Sequence, residues 1–391
     1  MARHFAANFV NLLIVLLVAA SGVVYWAKTQ FKGLGPLTRN TCIEVPKGDT
    51  IGQLADRLVE KGVISNASVF RIGAQYSDLS SNLRFGIYEL PAQASQEEIL
   101  RIVTGGHAGF TYVVTYRIGI RSASFAVSER TGDDMERLAV IGVEEGRNAV
   151  QALTGGTGCV TLRVTVAEGA TSWQVQNALN QAYFLVPTEE PVPAEGMLSP
   201  STYDVSPGEP VDAVISRMLE SQKRILAEEW ANRKEDLPVN SPEEALILAS
   251  IIEKETGLAE EKPEVAAVFV NRLNKGMKLQ MDSTVEYGLT SGQGFLGRGL
   301  RRSELLKKTP YNTYLTAGLP PGPISNPGRD AIRAVLNPNT SNNLFFVADG
   351  TGGHRFAETL VQHNRNVAAW RKIEAEQKRN HQNSTGTASF R

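Results

Sequence analysis

The chain has 391 residues and 42% apolar residues, enough to bury more than one core, so two or three domains are expected. Lys and Arg number 40 against 41 Asp and Glu, a formal net charge of −1. No broad basic surface can arise from that balance, which argues against a nucleic-acid partner.

The first 30 residues predict a short stub and a transmembrane anchor. Residues 5–27 carry no charge, and as a helix they would span about 34 Å, against about 30 Å of bilayer core. Tyr25 and Trp26 stand at one end, where amphipathic rings favour the interface. A cleaved signal peptide is the rival reading, with Ala19 and Ser21 as small residues before a cut, but the apolar run continues past them. Flanking charges do not set the orientation: Arg3 precedes the run, and Lys28, Lys32 and Arg39 follow it. The two cysteines, Cys42 and Cys159, have no metal-binding spacing, and either a disulfide or two free thiols fits them.

Residues 42–105 read as a strand, two helices, a strand and a further helix. The first helix is capped by Asp49 or Thr50 and carries Ile51, Leu54, Ala55 and Leu58 at helical spacing. Residues 67–74 and 96–103 give the other helices, and residues 85–90 the second strand. This order resembles the LysM module, with PKGDT at 46–50 matching its opening turn, and the resemblance implies binding of N-acetylglucosamine polymers. Residues 106–194 form a strand-rich extension and a Pro-rich linker, with a helix expected near 133–138 and another at 171–182. Residues 211–233 predict a long amphipathic helix, 359–377 a last helix, and 379–391 a disordered tail. The fold class is therefore α+β: an anchor, a LysM-like unit with added strands, and a mixed helical catalytic domain at 195–378.

The most informative stretch is 241–257, SPEEALILASIIEKETG. Ser241, Pro242 and Glu244 predict a capping box, and Gly257 a helix stop. On that helix Glu255 lies about 20° from Leu248 and about 60° from Ile252, on the apolar face, while Glu253 lies about 160° from Glu255, on the wet side. A carboxyl in an apolar setting holds its proton to higher pH, as a general acid for a glycosidic oxygen must.

Several blocks then occur in one order: ASIIEKET (249–256), VFVNRL (268–273), MKLQMDSTV (277–285), Tyr287-Gly288, YNTY (311–314), GLPPGPI (318–324), NPG (326–328), FFVADGTGGH (345–354) and His363-Asn364. They resemble the catalytic domain of the endolytic murein transglycosylases, the MltG/YceG-like family. The resemblance implies that Glu255, immediately before Thr256, is catalytic. It also implies the reaction: cleavage of the β-1,4 bond between N-acetylmuramic acid and N-acetylglucosamine within glycan strands, leaving a 1,6-anhydro end. One carboxyl serves there as acid and then base, so the paired carboxylates of ordinary glycosidases are not required.

Substrate contacts are expected from Gln280 and Asp282, in a strand-like run, and from Tyr311, Asn312 and Tyr314, with loop stabilisation as the competing role. No cofactor is expected. The spacing of His354 and His363 around Asp349 fits no zinc pattern, so no metal is expected. The same resemblance places the body outside the cytoplasmic membrane, on the periplasmic side of a bacterial inner membrane, with peptidoglycan strands as partner and peptidoglycan synthases as neighbours. It further implies that the enzyme terminates nascent strands. A hydrolytic muramidase and a non-catalytic peptidoglycan-binding scaffold are the alternatives. The sequence departs from the family pattern in a longer segment at about 110–160. It also departs in EGMLSPSTY at 195–203, where Ser201 replaces an aspartate.

Overall fold

A computed structural model describes residues 2–46, 48–84, 86–105, 111–131, 134–153 and 159–386. Its contacts divide the chain into two compact units, Met1–Thr115 with Phe125–Arg163, and Tyr116–Ser124 with Val164–Arg391.

The first unit begins with α1 (Ala2–Lys32). Its segment Leu12–Lys32 is the one helical stretch among the described residues long and apolar enough to cross a membrane, and its apolar 18-residue window is not buried by protein. Next come β1 (Thr41–Val45), α2 (Ile51–Glu60), α3 (Ala67–Tyr76), β2 (Gly86–Leu90) and α4 (Gln96–Thr104). β1 pairs antiparallel with β2, Ile43 opposite Tyr88, so the strand–helix–helix–strand order expected from the sequence is present. Thr50, not Asp49, caps α2, exchanging hydrogen bonds with Gln53 in a capping box, while Asp49 pairs with Arg57. Leu54, Leu58, Phe70, Leu90, Ile99 and Leu100 share one core. The last turn of α1 docks on this unit: the Phe31 ring lies against Gly73, where a Cβ would collide with it.

Four strands follow: β3 (Thr111–Ile118), β4 (Ala123–Thr131), β5 (Asp134–Gly142) and, after α5 (Gly146–Leu153), β6 (Val160–Val166). They lie in the order β5-β4-β3-β6. The helix expected near 133–138 is therefore wrong. That segment is the edge strand β5, whose run Leu138-Ala-Val-Ile141 suits a ladder better than a helix face. A disulfide joins Cys42 of β1 to Cys159, with Cα atoms 5.4 Å apart, which resolves the choice the sequence left open.

The second unit holds α6 (Ser172–Gln181), β7 (Leu185–Val186), β8 (Thr202–Val205), β9 (Glu209–Pro210), α7 (Val211–Ala231) and α8 (Pro242–Glu255). It continues with α9 (Lys262–Asn274), α10 (Asp282–Thr290), α11 (Arg302–Leu305), α12 (Arg329–Leu336), β10 (Phe345–Ala348), β11 (His354–Ala357) and α13 (Leu360–Gly386). β8 lies beside β6, β7 runs parallel to β9, and β10 and β11 form an antiparallel hairpin. α13 runs on to Gly386, into the segment 379–391 expected as a tail; the rest of that segment lies outside the described residues.

At the centre stands α8. Leu248, Ala249, Ile251 and Ile252 are fully buried and share a core with Val265 and Phe269 of α9 and Ile332 and Val335 of α12. A helix apolar on nearly every side must be enclosed by neighbours, and α7, α9, α10 and α12 all pack on it.

Candidate active site

The site grows from the two ends of α8. At its start the Ser241 hydroxyl accepts the Glu244 amide at 3.2 Å, but the Glu244 carboxylate turns back to the Asn240 amide at 2.7 Å. Half of the expected capping box is thus present, and the other half serves the residue before the cap. At its end the helix stops at Glu255, with Thr256 already extended. Gly257 does not provide the left-handed stop expected of it, because the turn is made one residue earlier.

Glu255 therefore occupies the last helical position. There the negative end of the helix dipole disfavours an anion. The Ser283 hydroxyl, in the first turn of α10, donates to Glu255 Oε1 at 2.7 Å. Burial is the largest influence on the carboxyl and pushes its pKa up. Repulsion from Asp282 adds to that rise, while the Ser283 hydrogen bond and the charges of His354 and Lys254 oppose it. The net direction is upward. The carboxyl thus holds its proton to higher pH than an ordinary carboxylate, the direction a general acid needs.

Glu253 overturns one expectation. It is not on a wet face: it is 8% exposed. The cause is the all-round burial of α8, which the helical angle between two residues does not reveal. Its carboxylate is locked in place by Lys262 Nζ at 2.8 Å and by the Gly328 amide at 3.0 Å, at the N-terminus of α12. Lys262, 2% exposed, also reaches Glu168 at 3.0 Å. Burial works against its ammonium, but the bonds to the two carboxylates outweigh it and raise its pKa. Glu253 is thereby committed to a buried ion pair that ties α8 to α9 and α12, whereas the hydrogen bond recorded for Glu255 is to an uncharged hydroxyl.

The other expected residues gather to different degrees. Asp282 is exposed at the start of α10 and accepts the Tyr314 hydroxyl at 2.7 Å, so these two are joined beside Ser283. The strand-like reading of 280–282 is corrected: no strand forms, and Asp282 begins a helix. Gln280 is exposed and sits in the left-handed region at φ 55°, its amide held by the Thr313 carbonyl at 3.2 Å. Tyr311 packs against Tyr287, ring centroids 4.8 Å apart. Asn312 differs from the rest. It is fully buried, and its amide donates to the carbonyls of Leu305 and Lys307, both at 2.9 Å, and accepts from the Tyr314 amide. It braces the loop and presents no surface to a sugar. Thr313 is equally buried and holds the Met281 amide.

Sequence reasoning missed Ser283, Lys254, Glu195 and Tyr287 as members of the neighbourhood. The Glu195 carboxylate accepts the Ser172 amide at 2.8 Å and the Tyr287 hydroxyl at 3.3 Å, and burial raises its pKa. Lys254, Ser283, Glu286 and Tyr287 line a small cavity of about 30 Å3, room for a water-sized group. Their signal was their place inside the motif blocks, but nothing in the spacing singled them out. His354 Nδ1 is 2.7 Å from Glu261, whose other oxygen accepts the His354 amide, so this histidine is oriented by a carboxylate. Among the described residues no cluster of three His, Cys, Asp or Glu side chains is placed to hold a metal ion.

The model of the YceG-like family matches residues 43–140 and 142–369. The chain is 28% identical over 383 residues to an endolytic murein transglycosylase of Streptococcus pneumoniae serotype 2 (strain D39), covering 93% of this chain and 65% of that relative. It is 26% identical over 329 residues to an endolytic murein transglycosylase of Bacillus subtilis (strain 168), covering 83% and 82%. The chain thus spans about two thirds of the pneumococcal relative's length. A crystal structure of a yceG-like protein from Listeria monocytogenes is 25% identical, covering 84% of this chain and 98% of its own, with a TM-score of 0.46. On the breadth of the family match, which takes in both the β1–α4 segment and α8, the chain belongs to the YceG-like family.

Proposed function

We propose that this chain is an endolytic murein transglycosylase with Glu255 as its proton-transferring group. The observation that carries this reading is the contrast in partners within α8: burial raises the pKa of both carboxyls, but Glu253 is held in an ion pair with Lys262, while Glu255, at the helix end, has a neutral partner in Ser283. The reaction balances without water or cofactor. Glu255 gives its proton to the bridging oxygen of the leaving N-acetylglucosamine as the bond from that oxygen to the muramyl C1 breaks. The muramyl 6-hydroxyl then bonds to C1 and returns its proton to Glu255, closing the 1,6-anhydro ring. Asp282, Tyr314, Gln280 and Tyr311 are the side chains we assign to sugar hydroxyls, with Asn312 holding their loop.

In the same reading α1 anchors the chain in a bacterial inner membrane with its body in the periplasm, where new strands emerge beside their synthases, and cutting terminates those strands. Residues 42–105 act as a LysM-like unit that holds N-acetylglucosamine polymer; the strand–helix–helix–strand order supports this. Digestion of peptidoglycan in 18O-water tests the reaction type. A transglycosylase releases anhydro ends without label. Labelled reducing ends would make the protein a hydrolytic muramidase, and no release of fragments would make it a scaffold.

A further inference from the structure

A second cavity lies in the unit that holds Glu255. It has a volume of about 250 Å3 and is formed by the turn between β3 and β4, residues 118–123, by helix α6, and by Gly294 and Phe295. Trp173, Asn177 and Gln181 look into it from α6, four residues apart and so on one face of the helix. The Arg121 guanidinium stands 4.6 Å from the centre of the Phe295 ring, which fixes that ring in an otherwise glycine-rich loop. Gln174 Nε2 donates to the Ile120 carbonyl at 3.0 Å and ties the turn to the helix. The walls are therefore built and held.

The lining has a definite chemistry. Two aromatic rings offer flat apolar faces. The side-chain amides of Asn177 and Gln181 supply both donors and acceptors, and among the described residues neither is taken up by another protein group. No carboxylate lines the cavity. Below the roughly 300 Å3 at which drug-sized pockets begin, there is space for one ring and not for several. An apolar ring face edged by hydroxyls and an acetamido group meets these demands. The cavity also shares Ile120, Gln174, Gly294 and Phe295 with the small cavity beside Ser283, so it is a neighbour of Glu255.

We propose that this cavity is a further glycan subsite that takes one N-acetylhexosamine ring of the strand, away from the bond that is cut. The proposal rests on the transglycosylase reading for its substrate class. A subsite set off from Glu255 makes the enzyme prefer strands that extend past the cleaved bond, so Trp173 and Phe295 are specificity-determining.

Full-length Glu255→Gln protein in detergent, labelled with 5-fluorotryptophan, allows a test that needs no turnover. The Trp173 fluorine signal is the one lost in Trp173→Phe. It should shift saturably with the N-acetylglucosamine hexamer and stay fixed with maltohexaose, which lacks acetamido groups. No shift with the hexamer overturns the subsite, and an equal shift with maltohexaose overturns its ligand class. Because the signal reports on Trp173 alone, binding to residues 42–105 does not interfere. In protein with Glu255 intact, Trp173→Ala and Phe295→Ala should each raise KM on long strands at least about tenfold and spare kcat. Unchanged KM contradicts the proposal. Turnover that survives Glu255→Gln would refute the catalytic assignment, while the fluorine shift would still decide the subsite.

Discussion

Burial and two neighbouring side chains, Asp282 and Ser283, set much of how the Glu255 carboxyl responds to pH. Burial and Asp282 hold the Glu255 proton on, and Ser283 helps release it. In the proposed mechanism Glu255 acts as the acid only while protonated, so kcat/KM should fall as pH rises through its raised pKa. Ser283→Ala removes a hydrogen bond that favours the charged form, and the alkaline limb should move to higher pH. Asp282→Asn removes a repulsion, and the limb should move to lower pH. Opposite displacements in the two pH profiles are the expected outcome; a common direction would contradict the assignment. Stability follows the same logic. A carboxyl whose folded pKa is raised contributes stability that is present below its unfolded pKa and lost as pH rises through the folded value. Glu255→Gln should therefore melt no lower than the parent at pH 7 to 8 in a thermal scan. Glu253→Gln differs because it breaks a buried ion pair. It leaves Lys262 without its most buried partner, a loss of about 3–5 kcal/mol by the usual cost of breaking a buried pair, read as a lower denaturant midpoint. The sequence pointed to Glu255 through its angle to Leu248 and through the motif around it. It misplaced Glu253, because one residue's angle says nothing about how many neighbours enclose the helix, and it was silent on Ser283, which meets Glu255 across 28 positions of chain.

At the level of elements, α8 decides where the site lies. The signals for its start, Ser241 and Pro242, were legible, and they set the register that brings Glu255 to the last turn. Ser241→Ala should cost about 0.5–2 kcal/mol in a thermal or denaturant melt, with activity per folded molecule preserved, since the cap lies at the far end from Glu255. Loss of activity without loss of stability would mean that the cap does more than hold the helix. The helix stop was misread because Gly257 looks like a left-handed terminator, whereas Thr256 leaves the helix in an extended conformation and needs no glycine. The same limit explains β5. Residues 134–142 carry both a helix-compatible pattern and a β-rich end, and pairing with β4, which a local window does not contain, settles the outcome. Asn312 belongs to this scale too: its type suits a turn or a sugar contact equally, and only its complete burial in the loop distinguishes them.

On the scale of the whole molecule, the order of long apolar N-terminal helix, strand–helix–helix–strand unit and helical body was readable from apolar runs and caps. The cysteine pair was not, since spacing alone allows a bridge or two thiols. The bridge joins two residues of the first unit that are 117 positions apart, and replacing both cysteines by serine should cost that unit about 2–5 kcal/mol, seen as earlier loss of its hydrogen-exchange protection. The anchor reading requires that a reporter fused after Arg391 be active outside the cytoplasm; activity inside would remove the protein from its proposed substrate. The central claim is that one carboxyl, Glu255, transfers the proton in both halves of a cut made without water. Mass spectrometry of fragments released from peptidoglycan by the purified chain and by its Glu255→Gln form tests it most directly. The account predicts 1,6-anhydro ends from the parent and a fall of at least about 10²-fold in their release by the folded variant; anhydro fragments released at the parental rate by Glu255→Gln would contradict it.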